Sequence, residues 1–201
     1  MRLGLRSIVS SVASYLAGII TSNDLKLVNQ VLPEIQKHIR SRSDQTRARV
    51  ALAVMAAEDH RFLLHMGVEL RSVLRAVSGM VTGRFSGGST IEQQLIRVVR
   101  GRYEFTVGRK LTEILLALAI YGRFKKAEIA EIYAEIAYYG WHGSGLESIA
   151  SRLGYNLDRI TLDQALTIAF CSNGPCHAPR QRNICANWNC GLNTCKSDSR
   201  W

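Results

Sequence analysis

Proline is scarce in this chain, with three in 201 residues, so little interrupts a helical backbone. Cysteine is missing from the first 170 residues. The five present, Cys171, Cys176, Cys185, Cys190 and Cys195, crowd the C-terminal end. An odd number at spacings unlike a zinc module excludes a complete disulfide framework and leaves loose or partly paired thiols in a peripheral tail. Acidic residues are few beside basic ones, 16 against 26, for a formal charge of +10. The imbalance favours an anionic partner: nucleic acid, an acidic membrane surface or a phosphate-bearing substrate. Alternation of period two is absent, as is any internal repeat, which removes the expectation of a sheet or a solenoid. No apolar run reaches the roughly 20 residues that span a bilayer comfortably. Residues 7–23 come nearest, uncharged behind Arg2 and Arg6 but diluted by serine and threonine. Ile8, Val12, Leu16, Ile19 and Ile20 share one helical face there, and Ser7, Ser11, Ser14 and Gly18 another. A packed or interfacial amphipathic helix is therefore expected ahead of a membrane span.

What is present is hydrophobic residue at 47%, enough for a buried core, in a length that suits one domain with at most a short appendage. The periodicity is helical almost throughout. Val28, Leu32, Ile35 and Ile39 keep one stripe, with Pro33 predicting a helix start or kink. Val50, Val54 and Ala57 lead into Glu58. Leu70, Val73, Leu74 and Val77 form a further face, followed by a polar, glycine-rich stretch at residues 82–88 that reads as a mobile loop. Ser89 to Glu92 has the pattern of a capping box, the Ser89 hydroxyl accepting from the Glu92 N–H. Leu111, Ile114, Leu115 and Leu118 mark a long helix that Gly122 would stop. Ile129 to Ile136, Leu146 to Leu153 and Leu162 to Ala169 supply three more. The expected fold class is all-α.

Several residues could carry chemistry. Glu58 ends an apolar stripe beside Asp59, with His65 seven residues on. Adjacent acids at a helix end are ordinarily solvated, whereas a general base needs a partly buried carboxylate within reach of a hydroxyl. Arg109, Lys110 and Glu113 alone read as ion pairs on a solvated helix face. Gly87 and Gly88, leading into a capped helix start at Ser89 and Thr90, expose backbone N–H groups that favour an anion. The stretch lacks the Gly-Lys-Ser/Thr ending of a nucleotide-binding loop. Gln93 and Gln94 follow one turn later, and Arg97, Arg100, Arg102, Arg109 and Lys110 crowd the next segment.

The order of these elements carries more than any one of them. The segment Glu58-Asp59-His60-Arg61-Phe62-Leu63-Leu64-His65-Met66-Gly67 resembles the Glu-Asp-x-x-Phe-x-x-His-x-Gly motif of peptidoglycan glycosyltransferases, glycosyltransferase family 51. Gly87-Gly88-Ser89-Thr90-Ile91-Glu92-Gln93-Gln94-Leu95 resembles that family's second motif, Arg109-Lys110-Leu111-Thr112-Glu113 its third, and Lys126 through Tyr133 its fourth. The resemblance covers residues 45–180. Residues 1–44 then read as an N-terminal helical, potentially membrane-anchoring segment, and residues 181–201 as a Cys-rich tail without assigned role.

The resemblance implies a lysozyme-like helical domain on the outer face of the bacterial cytoplasmic membrane. Such a domain polymerises lipid II into glycan strands and releases undecaprenyl diphosphate. It implies Glu58 as general base and Glu113 as the second catalytic acid, holding nearby cations or a divalent ion. Asp59, Phe62, His65, Gly88, Ser89, Thr90, Gln93, Gln94, Arg97, Arg109, Lys110 and Lys126 would bind substrate. A divalent cation, Mg2+ or Mn2+, is expected near the diphosphate without an all-protein metal cage, and no organic cofactor is expected. Expected partners are lipid II, the growing strand, the membrane and cell-wall synthesis proteins; no recognition-helix motif supports a nucleic acid. With no Ser-x-x-Lys penicillin-binding domain following, the likeness is to monofunctional members. The chain departs from the family pattern at three places. Arg97-Val98 stands for Lys-Asn, Ile120-Tyr121 for Leu-Glu, and Ala134-Glu135 for Leu-Asn. These raise the alternative of a catalytically impaired member that binds lipid II or an assembly partner.

Overall fold

The computed structural model describes residues 2–69, 88–104, 106–139 and 145–171. The predicted face at Leu70 to Val77, all of the predicted loop at 82–88 but its last residue, and the cysteines beyond Cys171 lie outside them. Among the described residues the architecture is all-α, with eight α-helices: α1 (Arg2–Ile20), α2 (Ser22–Ile39), α3 (Asp44–Glu58), α4 (Ile91–Arg100), α5 (Val107–Tyr121), α6 (Lys126–Ile136), α7 (Leu146–Arg152) and α8 (Leu162–Cys171). Short 3-10 turns occupy Phe62–Leu64 and Leu157–Arg159.

Hydroxyl caps set several starts. Ser43 accepts from the Thr46 N–H at the head of α3, and Thr106 from the Arg109 N–H at the head of α5, each at 3.2 Å. The cap of α4 is Thr90 rather than Ser89. Thr90 accepts from the Gln93 N–H, and Glu92 turns inward to Lys126 instead of back to the cap. A fully buried glutamate finds a stronger partner in a buried ammonium than in one backbone N–H, which decides the difference. Pro33 does not start a helix: α2 runs straight through it, the proline being exposed while Val28, Leu32 and Ile39 face inward.

The core is one cluster running from α1 to α8. Leu32, Phe62, Leu95, Ile96, Leu116 and Ile132 are among its fully buried side chains. Helix α3 packs on α6 and α8, and α4 sits against α2, α5 and α6. Truncating Leu95 to Ala at this crossing would cost about 2–5 kcal/mol. The N-terminal helix α1 lies along α5 by its small-residue side. Ser10, Ala13 and Ala17 are buried, and the Ser10 hydroxyl donates to the Ala119 carbonyl at 2.6 Å. A Cβ on Gly122 would overlap Ser10, so this approach requires glycine. The opposite face of α1, with Ile8, Val12, Tyr15 and Ile19, is exposed. Among the described residues no helix is long and apolar enough to cross a membrane.

Candidate active site

Glu58 is the last residue of α3 and half-buried, on the wall of a cavity of about 190 Å³. Gln94, Arg97, Val98, Tyr103, Tyr133 and Tyr138 complete the lining. The Gln94 amide donates to Glu58 Oε2 at 2.9 Å, and the Tyr133 hydroxyl donates to Gln94 Oε1 at 3.0 Å. Burial pushes the Tyr133 hydroxyl far above the usual tyrosine range, with the Glu58 charge adding to the shift.

The turn after α3 is held by its own residues. Asp59 caps the helix end, its N–H reaching the Met55 carbonyl, and its carboxylate meets His65 Nε2 at 2.9 Å. Phe62 is buried, edge-on to the His65 ring. The Lys126 ammonium lies 4.1 Å from the centre of the Phe62 ring and on the carboxylate of Glu92. Burial lowers the Lys126 pKa, partly opposed by Glu92. Asp59, Phe62, His65 and Lys126 therefore contact one another beside Glu58 and brace its position. Gly67 closes this segment at φ +87, where a Cβ would come within 2.9 Å of the Ala117 carbonyl oxygen. Its own carbonyl accepts from the Thr90 hydroxyl at 2.8 Å, tying the turn to the head of α4.

A second assembly surrounds Glu113, which is completely buried on α5. Arg97 Nε and Nη2 reach its two oxygens at 3.0 and 3.3 Å, Arg109 pairs with Oε1 from one turn before, and Lys110 Nζ lies 3.8 Å from Oε2. Arg97 and Lys110 also donate to the Ser89 hydroxyl at 3.0 and 2.9 Å, and Lys110 to Gln93 Oε1. Three cations against one carboxylate leave two positive charges in excess, beside the head of α4, whose N–H groups also favour an anion. Burial lowers the Lys110 pKa; Glu113 opposes the shift, and Arg97 and Arg109 add to it. Gly88 is exposed just ahead of this helix start. Arg97 is shared: it lines the Glu58 cavity and pairs with Glu113.

The basic run divides on folding. Arg97, Arg109 and Lys110 converge on Glu113, whereas Arg100 turns away to Asp24 of α2 at 2.8 Å and Arg102 stays exposed. Among the described residues two groups of donor atoms are close enough for a cation: Asp59, His65 and Glu92, and His38, Glu135 and Glu147. Lys126 already occupies the first and Arg42 the second.

The departures also acquire places. Glu135 pairs with Arg42 at 2.9 Å, and Arg42 also holds Glu147 at 3.0 Å. Burial raises the Glu135 pKa, opposed by Arg42 and His38. Tyr121 packs its ring between Arg6, at 4.7 Å, and Lys126, at 5.3 Å. Of the three places, only the Arg97-Val98 pair lies on the cavity wall. Sequence reasoning assigned no site role to Tyr103, Tyr133 or Tyr138. The first and last sit outside helices, where no periodicity marks them, and Tyr133 reads as part of an apolar stripe.

A family model described as Transglycosylase matches residues 25–194. Penicillin-binding protein 1A of Aquifex aeolicus is 34% identical over 144 residues, 70% of this chain and 20% of that protein. Penicillin-binding protein 1A of Escherichia coli is 36% identical over 135 residues, 66% of this chain and 16% of that protein. Penicillin-binding protein 2a of Streptococcus pneumoniae is 35% identical over 124 residues, 61% and 17%. The chain thus spans a fifth or less of the length of these relatives.

Proposed function

This chain belongs to the transglycosylase family, and on that premise we propose that it polymerises lipid II into glycan strands with Glu58 as the general base. The Glu58 carboxylate takes the proton of the acceptor sugar's 4-hydroxyl as that oxygen bonds to the donor's anomeric carbon with inversion. The bond from the anomeric carbon to the lipid diphosphate breaks, and undecaprenyl diphosphate leaves with the electron pair. Negative charge grows on phosphate oxygens as it departs, so cations fixed in advance stabilise the transition state more than the ground state. The observation that carries the reading is Arg97, which joins the Glu58 cavity to the cation-rich cluster of Arg109 and Lys110. Glu113 acts from behind by holding those cations in place. Ser89, Thr90, Gln93 and Gln94 shape the sugar and phosphate subsites at the head of α4.

Mg2+ or Mn2+ does not suit Glu113, whose two oxygens already face three cations. Such an ion near the diphosphate would have to be held by the phosphate oxygens themselves. The reading places the domain on the outer face of the bacterial cytoplasmic membrane, with exposed Ile8, Val12, Leu63 and Leu64 offering apolar contact to lipid. Cell-wall synthesis proteins fit as further partners.

The test is polymerisation of lipid II in detergent by the whole chain. Wild type is expected to make strands, and Glu58→Gln to lose about 10²–10⁴-fold in rate. Folded wild type and Glu58→Gln with equal turnover would end the assignment of Glu58. A second reading, an impaired member that binds lipid II without turnover, draws on Val98, one of two departures that line the cavity, the other being the charge-conserving Arg97. Micromolar binding with no strand formation in wild type, restored by Val98→Asn, would favour it.

A further inference from the structure

Behind Glu58 runs a chain of hydrogen bonds drawn from three helices. Tyr133 on α6, 5% exposed, donates to Gln94 Oε1, and Gln94 on α4 donates to Glu58 Oε2 at the end of α3. A carboxamide has one donor end and one acceptor end, so the two contacts are not independent. While Tyr133 donates to the amide oxygen, the amide N–H must face Glu58, which suits an ionised carboxylate. Turned through half a rotation, the amide would give its N–H to the Tyr133 oxygen and set its own oxygen against Glu58. That arrangement opposes two acceptors unless Glu58 carries a proton. Burial keeps the proton on the Tyr133 hydroxyl, so the donor is permanent.

We propose that Tyr133 is a positioning residue that works through Gln94, holding the amide N–H toward Glu58 so that the carboxylate stays in its proton-accepting form. The inference rests on Glu58 being the base. Once Glu58 has taken the acceptor's proton, a half-turn of Gln94 gives the new carboxylic O–H an acceptor, and loss of that proton to solvent water restores the first arrangement. Other charged or titratable groups also face Glu58. Asp59 follows it in the chain, Arg97 comes from α4, Tyr103 precedes α5, and Tyr138 and Tyr139 follow α6. Helix α8, also packed on α3, brings Cys171 near Tyr139. Arg97 also carries a charge that its own substitution would remove, so the clean perturbation removes one hydroxyl and leaves every charge in place.

Tyr133→Phe in the whole chain does this. Two readouts apply: the pH profile of kcat/KM for lipid II polymerisation, and titration of Glu58 by NMR of carboxyl-labelled, substrate-free protein. The acid limb and the Glu58 midpoint are both expected to move upward by about 0.5–1 pH unit relative to wild type. Activity above the limb should stay within about threefold of wild type, on the scale of one hydrogen bond. Gln94→Leu should move the midpoint at least as far, and adding Tyr133→Phe to it should move it no further. In wild type the Gln94 side-chain amide resonances should titrate with the Glu58 midpoint. Amide resonances that ignore it overturn the proposal even if Tyr133→Phe does not fold. A Tyr133→Phe chain that loses kcat equally at every pH, with an unmoved midpoint, overturns it as well and leaves Tyr133 a packing residue. A Glu58→Gln chain as active as wild type instead removes the base assignment, while the substrate-free titrations still decide whether the relay exists.

Discussion

Glu58 and Glu113 are the two acids around which the site is built, and their surroundings differ in kind. Glu113 is sealed in the interior, its oxygens met by two guanidinium groups and an ammonium. Glu58 borders an open cavity, takes the N–H of a neutral amide and has three tyrosines around it. The same side chain is thereby given different work. A carboxylate whose lone pairs are used by fixed cations cannot meet a substrate, but it holds those cations against their mutual repulsion. A carboxylate at a cavity wall can meet a hydroxyl directly. Arg97 belongs to both surroundings, so the proton acceptance and phosphate stabilisation proposed for the two acids would lie within one side chain of each other.

This comparison can be broken by exchanging the consequences of the two acids. Glu58→Gln should abolish most turnover, about 10²–10⁴-fold, while shifting unfolding free energy by no more than about 1 kcal/mol. Glu113→Gln should do the reverse in its first effect, destabilising by about 3–5 kcal/mol because three cations lose their buried counter-charge. Denaturant unfolding of both variants decides. Equal stability losses would mean that Glu113 is no more a scaffold than Glu58.

Lys110 sharpens the cationic side of the comparison. Burial lowers its pKa in the fold, so the ammonium is lost at a lower pH than from an exposed lysine, and the alkaline limb of activity should lie below the ordinary lysine value. Lys110→Arg keeps its charge and should move that limb upward, at a cost of about tenfold or less at neutral pH. For stability the sign is opposite. Between the lowered folded value and the ordinary unfolded one, the unfolded chain binds more protons, so this group stabilises the fold increasingly as pH rises through that window. A pH–rate profile and urea unfolding at several pH values separate the two. The smallest effect is expected at Glu135→Asn. Arg42 retains Glu147, so a loss of about 1 kcal/mol or less and activity within about twofold of wild type should follow. A large gain in activity would mean instead that an acid at this position repels an anionic substrate.

Much of the candidate site was legible in the sequence through the resemblance to the family motifs, since spacing alone read Arg109, Lys110 and Glu113 as a solvated face. Arg109, Lys110 and Glu113 fall on one helix face, and Gln93, Gln94 and Arg97 within two turns of a helix start, as the motifs suggested. What spacing left open was which charge meets which. Arg100 has the same standing in sequence as Arg97, yet folding sends one to Asp24 and the other to Glu113. Glu135 puts an acid where the family pattern has an amide, and only the fold sets Arg42, 93 positions earlier, beside it.

The sequence by itself determined the all-α class, the order of the helices and the motif residues, including the acid at the end of α3. The class and helix order follow from local backbone propensity and apolar period, which neighbouring residues set, whereas the motif residues stand out only by the family resemblance. Only the tertiary structure decided that Tyr133, Gln94 and Glu58 form one line, that Lys126 fills the space between Glu92 and Phe62, and that Glu113 is sealed while Glu58 is not. Each depends on where helices distant in the chain cross, and helix crossing is set by the packing of whole faces rather than by any local run of residues.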